Sequence, residues 1–113
     1  MVQNRNKLIK IFIGNIVNAV VHEILAKAIE NEDIRKHYSK ELKTSIDKAK
    51  SYRNKINPTN TSLPKKDADY IREKIMKKAK AELQSRIAKG YDNIDITLIE
   101  SVLDNVLSKT ENA

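Results

Sequence analysis

Leu8-Ile9-Lys10-Ile11-Phe12-Ile13-Gly14-Asn15-Ile16-Val17-Asn18-Ala19-Val20-Val21 is the stretch on which the fold turns. Two β-branched runs flank a Gly-Asn pair, a recognised signal for a two-residue hairpin. A helix is the stronger reading, because neither run alternates strictly with polar residues. The pattern also continues without a break into His22-Glu23-Ile24-Leu25-Ala26-Lys27-Ala28-Ile29-Glu30, which is rich in good helix formers. Read as a helix over 4–30, the segment is apolar on nearly every side.

Such a helix has three possible homes. Its longest stretch without a charge or histidine, Ile11 to Val21, falls short of the ~18–20 residues that cross a bilayer, so no membrane partner is expected. A secretory signal fits poorly. Arg5, Lys7 and Lys10 imitate its basic start and Ala26-Lys27-Ala28 its cleavage site, but His22 and Glu23 interrupt the approach. The remaining home is the centre of a helical bundle.

The rest of the chain supplies the cover. Asn31 followed by Glu32 and Asp33 reads as an N-cap with acids in the first turn, starting a helix over 32–56. No Gly or Pro separates it from the first helix, so one continuous rod is the competing reading. Ile34, Tyr38, Leu42, Ile46, Ala49, Tyr52 and Ile56 form its apolar stripe. Residues 57–63 read as a loop, because Pro58 removes a helical donor and disfavours the α conformation at Asn57. A third helix over 64–89 carries Ala68, Ile71, Ile75, Ala79, Leu83 and Ile87, with Met76 alongside, and stops at Gly90. A fourth over 96–109 starts at either of two caps: Asp95, with Ile94 and Ile99 as a hydrophobic staple, or Thr97 in a capping box with Glu100. Leu98, Ile99, Val102, Leu103, Val106 and Leu107 form its apolar face, and Thr110 to Ala113 are expected to fray.

One helix apolar all round and three with a single apolar face make an all-α, antiparallel, up-and-down four-helix bundle, with helix 1 at its centre and residues 1–113 as one domain. Any uncovered apolar strip of helix 1 would become an interface, so a homodimer is expected. Asn15, Asn18 and His22 share a face of helix 1 at spacings of three and four. Two readings are even: solvent exposure, or a hydrogen-bonded polar seam at an interface.

With 113 residues, two Gly and two Pro, the chain suits a single helical domain better than a β-sandwich. Cysteine is absent, which excludes disulfides and thiolate chemistry and makes a reducing, cytoplasmic setting the default expectation. The net charge is +7. Its size is weak evidence for a polyanionic partner, because 17 Lys, 15 Ile and 11 Asn are what A/T-rich codons favour. Its distribution carries more information. Residues 34–89 hold 17 basic and 6 acidic side chains, whereas the remainder holds 5 and 9, so the middle of the chain is +11 and its flanks −4.

Motifs for chemistry are missing. The second histidine of a zinc-binding H-E-x-x-H would fall at Ala26, and no Glu-x-x-His pair exists for a dinuclear carboxylate site. Gly14 and Gly90 lie in no phosphate-cradling loop, and no serine sits in a nucleophile elbow. The expectation is a protein that is not an enzyme, with no cofactor, metal or small-molecule substrate. What remains is basic surface: Lys36, Lys40, Lys43 and Lys50 on helix 2, spanning ~21 Å, and Lys74, Lys77, Lys78 and Lys80 on helix 3. If helices 2 and 3 pair as an antiparallel hairpin, both groups fall on one side and could hold a nucleic-acid backbone without sequence preference. The rival is a protein-interaction subunit that uses exposed apolar strips of helix 1 or helix 4, with the lysines serving solubility.

Overall fold

The computed structural model describes residues 5–29, 31–56, 65–91 and 93–111. They form α1 (Arg5–Ala28), α2 (Glu32–Ile56), α3 (Lys65–Ala88) and α4 (Ile99–Glu111), the last entered through a 3₁₀ turn, Ile96–Leu98. The architecture is an all-α antiparallel four-helix bundle with α1 packed at its centre. The helix continues through Gly14 and Asn15, so the hairpin alternative is set aside. α2 and α3 lie against α1, α4 touches all three, and α2 and α3 scarcely meet.

Local chemistry explains each boundary. α1 and α2 are separate helices, not one rod, because Asn31 caps the second: its Oδ1 accepts the Ile34 N–H at 3.2 Å. Arg35 then reaches back and donates from Nε and Nη2 to the Ile29 carbonyl at 3.1 and 2.7 Å, satisfying an acceptor left over at the end of α1. α3 closes in a Schellman motif. The Tyr91 N–H bonds to the Arg86 carbonyl and that of Gly90 to Ile87, with Gly90 at φ 101°. Of the two caps offered by the sequence for helix 4, Asp95 is the one used, accepting the Thr97 N–H at 3.0 Å. The predicted loop 57–63 lies outside the described residues.

All four helices feed one core. Phe12, Ile16, Ala19, Val20, Ile24 and Leu25 of α1 are fully enclosed, together with Ala49 of α2, Ile75, Ala79 and Leu83 of α3, and Leu103 and Val106 of α4. By length and composition α1 would also suit a bilayer span, yet its apolar residues are covered by the other helices. What it leaves exposed, Arg5, Asn6, Lys7, Lys10, Gly14, Asn18 and Lys27, includes no large apolar side chain. An uncovered apolar strip, the ground for expecting a homodimer, is therefore not what this face offers.

Several stripe assignments need correction. Ile34 is 46% exposed and Ile87 40% exposed, and Ala68 is also exposed. They stand near the first or last turns of α2 and α3, where a helix runs past its neighbours. Conversely, Arg53 is only 6% exposed on the stripe between Ala49 and Ile56. Thr110 does not fray: it is 4% exposed, α4 runs to Glu111, and its hydroxyl donates to the Leu107 carbonyl at 2.8 Å.

Length governs the shape. α1, α2 and α3 have 24 or 25 residues, about 36–38 Å each, which accounts for most of the 43 Å long axis. α4 has 13 residues, about 20 Å, and covers only part of that length.

Two substitutions within one turn of α1 test this placement. Ile16→Ala, at a fully buried site, should lower unfolding stability by about 2–5 kcal/mol. Gly14→Ala places its methyl where nothing lies within 4 Å, so it should raise stability by about 0.5–1 kcal/mol through helix propensity. Chemical denaturation measures both, and a destabilising Gly14→Ala would mean this face is covered.

Candidate nucleic-acid interface

The eight lysines singled out in the sequence are all exposed, but the structure divides them. Lys36, Lys40, Lys43 and Lys50 stay on one edge of α2, because steps of four, three and seven residues hold one helical face. Lys36 makes a 3.9 Å contact with Glu32 between side chains 74% and 80% exposed, a pair too solvated to neutralise it. Lys40, Lys43 and Lys50 have no ion-pair partner among the described residues. Asp47, one turn beyond Lys43, interrupts the edge.

Lys109 joins this edge from α4, lining a shallow groove with Ser39, Leu42, Lys43, Ile46 and Lys50 of α2. Sequence reasoning missed it, since nothing local in α4 indicates which helix its last turn will meet. The α2 edge thus presents Lys36, Lys40, Lys43, Lys50 and Lys109.

The α3 group does not join them. α2 and α3 do not pack as a hairpin; each rests on α1 and α4, so the expected pairing of the two lysine groups fails. The α3 lysines are also split among themselves. Lys77 and Lys80 line a groove with Ile96, Thr97, Ile99 and Glu100 at the start of α4, beside Glu73. Lys74 lies 5.8 Å over the Tyr70 ring, and Tyr70 lines the separate α1–α3 groove with Lys10, Lys66 and Asp67. Lys78 follows Lys74 by one turn on that flank.

Between the two lysine groups, α4 carries acids that are already engaged. Arg72 of α3 binds Asp104 and, at 3.3 Å, Glu100, clasping α4 to α3; these carboxylates in turn push the Arg72 guanidinium above its ordinary range. At the first turns of α1 and α3, Arg5 donates to Asp67 at 2.6 Å and holds that carboxyl below its ordinary value.

Asn15, Asn18 and His22 part company. Asn15 is half-buried and donates to the Ile11 carbonyl at 3.0 Å, Asn18 is exposed, and the half-buried His22 ring stacks on Tyr38 of the same chain at 5.6 Å. Its Nδ1 is buried with no hydrogen-bond partner among the described residues. Burial holds the imidazole below its ordinary 6.5; Glu41 opposes the shift, and Arg86 of α3 and His37 of α2 reinforce it.

Tyr38 and Tyr52 pack against the core as expected, while Tyr70 and Tyr91 are exposed. Among the described residues, no three His, Asp or Glu side chains are grouped to hold a metal ion. No protein-family model matches this chain, and no curated protein or solved structure matches it with significant similarity. Fold and surface define an all-α bundle with one lysine-lined edge.

The His22 arrangement makes a signed prediction. Its lowered folded-state value means the unfolded chain binds a proton more readily, so the stabilisation is complete above about pH 6.5 and is lost as pH falls through the folded-state value. His22→Phe keeps a ring on Tyr38 and removes the titration. Denaturation midpoints from pH 8 to pH 5 should fall more for the parent chain than for the variant; parallel curves would show that His22 titrates freely in the folded state.

Proposed function

We propose that this chain is a non-enzymatic helical binding module that holds nucleic acid by its phosphates along the α2 edge. The observation that carries the reading is the placement of Lys36, Lys40, Lys43, Lys50 and Lys109 on one exposed edge; for the last four, the described residues offer no ion-pair partner. The α2 portion spans ~21 Å, enough to meet several successive phosphates of a duplex. Lysine presents a point charge to phosphate, with no bidentate geometry to read a base, so binding is expected to be indifferent to sequence.

The alternative, protein interaction through exposed apolar strips of helix 1 or helix 4, finds less support. The large apolar side chains that are exposed among the described residues are Ile34, Tyr70, Ile87 and Tyr91, and none belongs to α1 or α4. Their scatter gives no continuous apolar face.

Fluorescence anisotropy with a short labelled duplex tests the proposal. With about five phosphates engaged, log affinity should fall against log salt with a slope of roughly −4 to −5. Reversing Lys36, Lys40 and Lys43 to Glu should abolish most of the binding while leaving the helical circular dichroism unchanged. Absence of binding at low salt, or unchanged affinity in the triple variant, would refute the assignment.

A further inference from the structure

Because α4 is half as long as the helices it covers, it leaves part of the bundle open. Towards the end of α1, Glu23, Ala26 and Lys27 form a groove with Arg35, Ser39 and Leu42 of α2. That groove shares Ser39 and Leu42 with the one lined by Ile46, Lys43, Lys50 and Lys109, so the two are one trough. Each part has a volume of about 380 Å³, room for several side chains. Ala26, Leu42 and Ile46 supply an apolar floor, and Lys27, Lys43, Lys50 and Lys109 stand around it. Arg35 is occupied by the Ile29 carbonyl.

We propose that this trough docks an acidic amphipathic helix from a partner protein. From Arg35 to Lys50 the trough runs ~22 Å along α2, the length of about 15 helical residues. A helix laid there would rest its apolar stripe on the partly exposed Ala26 and Leu42, with only the edge of the buried Ile46 beneath it, and set Glu or Asp side chains against the four lysines. Glu23 is the one acid in the lining, and its Oε2 is turned inward, buried with no hydrogen-bond partner among the described residues. An apolar floor ringed by cations matches this chemistry better than it matches nucleic acid, whose phosphates have no use for the floor. A second copy of this chain does not provide the helix, because the apolar face of its acidic α4 is buried in its own core.

The inference rests on the binding-module reading only in sharing Lys43, Lys50 and Lys109, which would make the partner helix and nucleic acid competitors. The test uses a labelled, end-capped 15-residue peptide with Leu and Ala on one helical stripe and Glu elsewhere, and a scrambled peptide of the same composition. The full chain should bind the amphipathic peptide saturably at low salt and the scrambled one at least tenfold more weakly. Lys27→Glu should weaken the peptide about fivefold or more without affecting duplex binding. The double variant Lys36→Glu, Lys40→Glu should do the reverse, since those residues lie outside the trough. Equal binding of both peptides, no saturable peptide binding, or indifference to Lys27→Glu would overturn the docking proposal. Absence of duplex binding by the parent chain at low salt, or duplex binding unchanged in the Lys36→Glu, Lys40→Glu variant, with the peptide results as expected, would overturn the nucleic-acid reading alone.

Discussion

The burial of α1 is the constraint on which everything else depends. A helix with Leu8, Phe12, Ile16, Val20 and Ile24 on one side, and Ile13, Val21 and Leu25 reaching round to others, loses too much to water if any long stretch of it stays bare. Three partners share the work. Its exposed line, Lys7, Lys10, Gly14 and Asn18, does not persist to the end of the helix, because Val21 and Leu25, which continue that line at helical spacing, are buried. Conversely, Glu23, Ala26 and Lys27 open to the surface in the last turns. The covered face of α1 thus rotates from one end to the other, which explains why no single polar stripe runs its length.

Charge follows from the same geometry. α2 and α3 each spend one face on the centre and present the remainder to solvent, so the concentration of lysine in the middle of the chain becomes surface on opposite flanks of α4. α4 lies between those flanks with Glu100 and Asp104 bound to Arg72, which fastens the cover and separates the two basic regions. The +11 of residues 34–89 is accordingly divided, and on the α2 edge Lys40, Lys43, Lys50 and Lys109 have no ion-pair partner among the described residues, while Lys36 only touches the solvated Glu32.

Much of the fold was legible because its signals are local or periodic. The Asn31 cap, the Gly90 stop and the Asp95 cap each depend on a side chain or backbone freedom at one position, and the stripes of α2, α3 and α4 depend on spacing. The readings that failed concern which helix meets which. Ile34 and Ile87 fit their stripes and are nonetheless exposed, because helical spacing says nothing about where a neighbour ends. Arg35 as a cap for α1, Arg72 as the clasp on α4 and Lys109 as a member of the α2 edge all act across elements. Chain order suggests a hairpin of helices 2 and 3, but two helices that each seek the same central helix need not seek each other. Individual lysines are exposed as their spacing implies; their grouping needed the packing.

Amide hydrogen exchange at residue resolution tests the central place of α1 most directly. If α1 is enclosed by the other three helices, the amides of Ile16 to Leu25 should be the slowest in the chain and should exchange only through global unfolding, with the same denaturant dependence as the whole molecule. The amides of α2 around Lys36 and Lys40 should exchange faster, through local opening. If Ile16 to Leu25 exchange as readily as those α2 amides, α1 is not the enclosed centre of the bundle.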